Sequence, residues 1–402
     1  MDIKKLSCNF LGSLLALGAY DNIDEALKNG ITKGEVGLYT DYYDPFATRV
    51  ANEFGMNDAG YVALTMGLQY RSAFYKNMRF SVGFGSAFSL WQWHRNSIWN
   101  NDPSNVRKGD INLDFDSTAP ILLKDTYLEY FDGDTSIKTG RFFLANEWVS
   151  NQVDGLWVRN RSLDNLLLEL YWLNSYGDVT STCMSGFTQY NPNWSGQTYA
   201  AAKYNLTAKD WEFWAKLYTS FAYSVNYVLG VTTGFEYKFS KNKIGLSLNT
   251  AGSFEFSNGV SGGDGVDFNM EFYAEGAGFE FNLGYIQTGK DIGWGSLDRI
   301  NNTISPLEIE NVLDSSFALN TSVIYAGVSG TFDQITVGLL YGVGLFTSPI
   351  INGRHIQNEI DVALEFNFTN NVSMFVNVYN THLGNEAIPN VIQVQGGLTL
   401  SF

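Results

Sequence analysis

The chain has 402 residues, of which 15% are aromatic and only 16% are charged, and its formal net charge at pH 7 is −16. A globular protein usually has about a quarter of charged residues, so this composition favours one large all-β unit over two or three soluble domains. The negative charge argues against a nucleic-acid partner, whose phosphates would be repelled.

The N-terminus has the features of a secretory signal. Lys4 and Lys5 precede a mostly apolar stretch at residues 6–17, and small residues follow it. Residues 1–19 are therefore predicted to be a signal peptide, too short to span a bilayer as a helix. Residues 20–33 are interpreted as a short acidic periplasmic linker, and residues 34–402 as a single barrel domain. After signal cleavage Cys183 is the one remaining cysteine, so no intrachain disulfide is expected.

Segments of alternating apolar and polar residues recur from residue 35 to the C-terminus, with short and long connections in turn. The alternation is clearest at residues 359–368, where Ile360, Val362 and Leu364 alternate with polar or small residues. Counting such segments predicts about 18 strands, an even number with both chain ends on one side. The predicted fold is an all-β transmembrane antiparallel β-barrel with long outer loops and short periplasmic turns.

The last twelve residues, 391–402, alternate in the same way and end on Phe402. A strand that closes a membrane barrel has one face toward lipid, one toward a watery lumen, and an aromatic ring at the bilayer interface. Phe402 is therefore predicted to take part in barrel closure and to act as an insertion signal. The alternative for this segment alone is the terminal strand of a soluble β-sandwich.

A barrel of this size encloses more space than its side chains can fill, so an aqueous pore is expected. Strand parity places more acids than bases inside, and such acids favour cations over anions. The sequence therefore predicts a modest preference for cations. For any single acid the alternative is solvation or pairing with a basic residue. The acids assigned to the lumen include Asp125, Glu129, Glu169, Glu359, Asp361 and Glu365.

One short pattern points to a known family. Gly140 and Arg141 are followed by Leu144, Trp148 and an Asp154-Gly155 pair that begins the next strand. This pattern resembles the major outer-membrane porins of the epsilonproteobacterial Opr type, distant relatives of OprD-like channels, although it covers a small part of the chain. The resemblance implies an 18-stranded, often trimeric porin whose third loop folds inward to narrow the pore.

By this resemblance, Glu147 and Asp154 supply acid to the constriction beside Trp148, and basic residues face them from the wall. The basic residues are Arg141, Arg159 and Arg161. Because the connection at residues 145–154 is short, the longer connections at 91–120 and 288–316 are alternatives for the narrowing. The alternative for Trp148 and Asp154 is a loop anchored against the barrel wall without contact to permeating ions.

The predicted function is an outer-membrane porin that forms a water-filled diffusion channel for ions and small hydrophilic solutes. The expected partners are outer-membrane lipid, lipopolysaccharide, cations and two further copies in a homotrimer. Two alternatives remain: a substrate-specific OprD-like channel for small organic solutes, and a surface adhesin or structural barrel. His94, His355 and His382 lie in or beside different loops, so no catalytic set, cofactor or metal site is expected.

Overall fold

The computed structural model describes residues 19–46, 58–93, 115, 121–191, 195–256, 264–290, 307, 319–347, 353–383 and 390–402. The predicted signal peptide lies outside these ranges except for Ala19. The described residues form one short helix, α1 (Ile23–Lys28), and nineteen strands. The strands are β1 (Ile31–Phe46), β2 (Ala59–Arg71), β3 (Met78–Trp93), β4 (Ile121–Phe131), β5 (Thr135–Ala145), β6 (Ser150–Leu163), β7 (Leu166–Gly177), β8 (Thr188–Gln189), β9 (Gln197–Ala208), β10 (Trp211–Ala222), β11 (Asn226–Phe239), β12 (Asn242–Glu255), β13 (Gly265–Gly276), β14 (Phe279–Thr288), β15 (Leu319–Phe332), β16 (Ile335–Thr347), β17 (Arg354–Thr369), β18 (Val372–Leu383) and β19 (Asn390–Ser401).

Eighteen of these strands close into one antiparallel barrel. Each long strand pairs with its neighbours in the chain, β7 pairs directly with β9, and β19 pairs back onto β1. The remaining strand, β8, has two residues and adds only to the end of β7. The predicted all-β antiparallel barrel of about 18 strands is confirmed.

The seam between the two chain ends is continuous. The β1–β19 ladder runs from Glu35 opposite Ser401 to Phe46 opposite Asn390. Beyond it, the Gly34 N–H donates to the Phe402 carbonyl (2.8 Å) and the Phe402 N–H donates back to Gly34 (2.9 Å). The Phe402 ring covers Gly34 so closely that a Cβ there would lie 2.4 Å from it. Position 34 therefore needs a glycine, because a side chain there would clash with the ring of Phe402.

We expect Phe402→Ala to destabilise the folded barrel by about 1 kcal/mol, because the ring is 66% exposed and its packing at the seam rests on Gly34. The denaturant midpoint of the refolded barrel in detergent would measure this destabilisation. Phe368→Ala is the matched control, since Phe368 is also an exposed ring at a strand end. Equal destabilisation of the two variants would contradict a special role of the terminal ring.

The outer face of the barrel is apolar and the inner face is largely polar. Along β10, for example, Leu217 and Phe213 are exposed, whereas Lys216 and Tyr218 between and beside them are buried inside. A belt of exposed apolar side chains on a closed sheet is the surface of a barrel that spans a membrane. No helix in the described ranges is long and apolar enough to cross a membrane.

Short connections join the strands at the end of the barrel where the chain termini meet. They contain two to six residues. Several have a non-glycine residue with positive φ, among them Asn165, Lys209 and Asp333, as tight hairpin turns require. Exposed rings such as Phe131 and Phe239 end the adjoining strands and form an aromatic girdle at this end of the barrel.

Residues 20–33, which the sequence predicts to be a linker, contain a helix and the start of the first strand. The middle of this segment forms α1, capped by the Asn22 side chain, and β1 already begins at Ile31. The helix docks on the β2–β3 turn through the Ala73 N–H, which donates to the Ala26 carbonyl (3.0 Å). The segment is therefore held against the β2–β3 turn.

Candidate pore constriction

The far ends of β5, β6 and β7 leave the cylinder. The β4–β5 ladder extends only from Tyr127 opposite Gly140 to Phe131 opposite Ser136, and beyond Gly140 strand β5 pairs with β6 alone. We call residues 141–154 and 174–190 the inner flap. The sequence predicted a connection at residues 145–154. The β5–β6 ladder instead continues to Ala145 opposite Ser150, so the connection is shorter and Asp154 lies within β6.

The tip of the inner flap packs on the inner wall formed by β9, β10 and β11. Lys216 Nζ on β10 donates to Glu147 Oε2 at 2.9 Å. Trp148 packs edge-to-face on Tyr218 of β10, with ring centroids 6.1 Å apart, and shares a buried cluster with Val228 of β11. Since β7 and β9 lie between β6 and β10 in the wall, this contact requires the tip to fold inward over the inner face of those two strands.

Glycines allow the flap to bend away from the wall. Gly140 and Gly155 are opposite each other in the β5–β6 ladder, and the register of β6 with β7 shifts immediately beside Gly155. Gly140 has φ +116°, and a Cβ on it would lie 2.5 Å from the Thr126 carbonyl oxygen. A Cβ on Gly155 would lie 2.2 Å from the Trp172 carbonyl oxygen. Both contacts are with backbone, so neither position has room for a side chain.

An ion pair holds the bend. Arg141 donates from Nε and from an NH2 group to the Asp154 carboxylate, both at 2.7 Å, and from the other guanidinium nitrogen to the Leu123 carbonyl (3.1 Å). Ser175 Oγ also donates to Asp154 (2.7 Å). Arg141 and Asp154 are thus direct neighbours in the flap, and they neutralise each other instead of facing one another across the pore.

A second set of charges joins the flap tip to the wall below it. Glu169 on β7 lies 3.9 Å from Lys216 and 3.3 Å from Arg159 on β6. Glu147, Lys216, Glu169 and Arg159 therefore form one chain of alternating charge. Arg161, which the resemblance placed with them, lies near the short turn at the other end of β6, where its N–H donates to the Asp134 carbonyl.

Sequence reasoning missed a further inward segment at residues 178–187, between β7 and β8. Val179 and Met184 are buried against Tyr39 of β1 and Tyr61 of β2 in one apolar cluster. The available signal was an apolar residue at several positions of a loop otherwise rich in Ser and Thr. We call this cluster the apolar plug; it fills the part of the lumen beside β1 and β2.

The two connections named as alternatives for the narrowing also touch the inner wall where they are described. Phe115, from the connection before β4, belongs to the apolar plug and forms a bridge with Met184. Leu307, from the connection after β14, packs on Tyr325 and Leu340.

Tyr190, next to β8 in the inner flap, has a raised phenol pKa because it is buried beside Tyr176.

The acids assigned to the lumen have different environments. Glu129 accepts from Arg79 Nε at 2.6 Å. Asp125 occupies a bulge in β4 with φ 46°. Glu359 and Asp361 alternate with lipid-facing neighbours along β17 and are 1% and 0% exposed.

Charge is distributed unevenly around the wall. Strands β3–β12, the basic sector, carry ten Lys and Arg and seven Asp and Glu. Strands β13–β19, the acidic sector, carry one Arg and seven Asp and Glu. The acids of the second sector are Asp267, Glu271, Glu275, Glu280, Glu359, Asp361 and Glu365. A solute in the lumen would therefore lie in a transverse field between the two sectors.

No protein-family model matches the sequence, and no curated protein matches it. Solved porin structures do share the fold. OccK9 (OpdG) of Pseudomonas aeruginosa has a TM-score of 0.71 at 12% identity, over 94% of this chain and 99% of that one. A BenF-like porin of Pseudomonas fluorescens Pf-5 has 0.72 at 11%, over 94% and 100%, and OccAB4 of Acinetobacter baumannii has 0.69 at 12%, over 92% and 98%. The chain has the 18-stranded fold of OprD-like porins.

Proposed function

We propose that the chain is an outer-membrane porin whose lumen conducts ions and small hydrophilic solutes. The observation that carries this proposal is the closed barrel with an apolar outer belt and a charged, polar inner wall. Such a wall stabilises water and ions inside the membrane, whereas a solid barrel would have an apolar interior.

A modest preference for cations follows from how the charges are neutralised. Several bases of the basic sector are held by acids: Arg79 by Glu129, Arg141 by Asp154, and Lys216 by Glu147. The described strands of the acidic sector provide one Arg against seven acids. The net field along the permeation path is therefore expected to be negative.

Recording from the full-length protein in planar bilayers under a salt gradient would test both proposals. We expect ohmic channels and a reversal potential of the sign that cation selectivity gives. A reversal potential that favours anions would refute the proposed cation preference but not the proposal that the barrel is a pore. Absence of conductance from a correctly folded barrel would refute the porin proposal itself.

A substrate-specific channel is the second candidate, because the acidic sector faces a sector with ten bases. Among the solved structures that share this fold, one is OpdK with vanillate, at a TM-score of 0.65. Uptake by proteoliposomes of size-matched neutral, cationic and anionic solutes would separate the two candidates. Similar rates support general diffusion, whereas a single strongly preferred solute supports the specific channel.

The remaining parts of the prediction stay proposals. They are a narrower relationship to the epsilonproteobacterial Opr type, contact with lipopolysaccharide, assembly as a homotrimer and cleavage of residues 1–19. The adhesin alternative places function in outer connections such as 91–120, of which the structure describes a small part.

A further inference from the structure

The departure of the inner flap leaves a split in the barrel wall. Over residues 121–126, β4 has no ladder with β5 on one side, although it remains paired with β3 on the other. Two side chains of the flap bridge part of the gap: Arg141 donates to the Leu123 carbonyl, and Gln152 accepts from the Asp125 N–H at 3.3 Å. The polar edge of β4 is thus partly satisfied without closing the sheet.

A cavity of about 410 Å³ lies at the foot of the split. It lies between β4, β5, β6 and β7, and its lining includes Leu123, Thr139, Arg141, Asp154 and Trp172. Leu123 and Trp172 are 52% and 41% exposed and belong to the lipid-facing belt, whereas the next residue of β4, Leu122, packs on the apolar plug inside. The cavity is therefore shallow and opens toward lipid.

The cavity is closed on its lumen side. The Arg141 guanidinium lies 3.3 Å from the centroid of the Phe187 ring, and that ring fills the space beside Gly177. Phe187 in turn packs on the apolar plug. A solute in the lumen would have to displace this ring to enter, whereas a molecule in the outer part of the bilayer meets an open mouth.

The lining favours a ligand without net charge. Arg141 is the one cation among the nine lining residues, and its charge is already neutralised by Asp154 at 2.7 Å. A phosphate or a free carboxylate would therefore bring an uncompensated charge into a lipid-facing site. Leu123 and Trp172 provide apolar surface, and Thr139 at the exposed wall could donate to an ester oxygen.

We propose that this cavity binds one acyl chain of a membrane lipid and that the chain seals the split beside the inner flap. The proposal rests on the membrane location of the barrel and is independent of what the pore conducts. The bound chain packs where the wall lacks a β4–β5 ladder, so it stabilises the base of the flap from outside.

The test uses the full-length protein in detergent and phosphatidylethanolamine with brominated acyl chains, which quench tryptophan by contact. The contribution of Trp172 is the difference between wild type and Trp172→Phe. We expect this contribution to be quenched at about one lipid per chain. Trp211, also lipid-facing at 40% exposure, is the control, and its contribution should require excess lipid.

The second part of the experiment fills the cavity with a larger side chain. Thr139→Phe should abolish the stoichiometric quenching of Trp172, whereas Thr250→Phe, at an exposed position on β12, should leave it unchanged. Equal lipid dependence of Trp172 and Trp211 would overturn the proposal. Stoichiometric quenching by a brominated free fatty acid but not by the phospholipid would overturn the assignment to a membrane lipid.

Discussion

Replacing Trp148 by alanine is expected to raise the single-channel conductance roughly twofold, because it releases the tip of the inner flap from β10 and β11 of the inner wall. Trp148 is 1% exposed and packs on Tyr218, so truncation leaves a hole and costs about 3 kcal/mol of docking energy. Without the indole ring, the tip keeps the ion pair between Glu147 and Lys216 and the packing of Val149 in the same buried cluster. The flap would then occupy several positions and obstruct the lumen less.

Planar-bilayer recording would show this as larger and noisier channel openings. Trp211→Ala is the matched control. Trp211 is the first residue of β10 but faces lipid, so its removal should leave conductance unchanged. If Trp148→Ala folds and conducts like wild type, the flap tip does not narrow the pore.

The charge at the tip can be separated from its shape. Glu147→Gln keeps the side-chain volume but removes the partner 2.9 Å from Lys216, which is left with Glu169 at 3.9 Å. The freed positive charge should move the reversal potential toward anions while conductance changes little. Such a result would identify the tip as a determinant of selectivity as well as of pore size.

The barrel was predictable from the sequence because alternation with period two is a local property. Residues 359–368 and 391–402 show it without reference to any other strand, and the seam from Gly34 to Phe402 follows once the strand number is even. Lipid on one side and water on the other impose the pattern on each strand separately.

The inner flap was not predictable in the same way. Residues 141–145 and 150–154 form the same ladder in the flap as they would in the wall, so their sequence does not show that the hairpin leaves the cylinder. Contacts that fix the flap, such as Glu147 with Lys216, join residues far apart in the chain. The Gly140 and Gly155 pattern was visible, but its role needed the neighbouring backbone of Thr126 and Trp172.

Because Gly155 permits the bend of the inner flap, replacing it is expected to have a large effect on stability. Gly155→Ala is expected to destabilise the barrel by about 3 kcal/mol or more, because the new Cβ would lie 2.2 Å from the carbonyl oxygen of Trp172. Neither backbone can move freely, since β6 and β7 are paired on both sides of this point. The strain can be relieved only by changing the bend, which displaces the flap from Lys216 and Tyr218.

Gly252→Ala is the matched control, because a Cβ there would have its nearest neighbour, an atom of the Phe254 ring, at an ordinary 3.7 Å. Thermal unfolding in detergent and the yield of refolded barrel would compare the two variants. A lower yield or midpoint for Gly155→Ala alone supports the hinge, and in molecules that still assemble the conductance should exceed that of wild type. If both variants match wild type in stability and conductance, the glycines do not set the bend, and the flap must be held inside by its tip contacts and the Arg141–Asp154 pair alone.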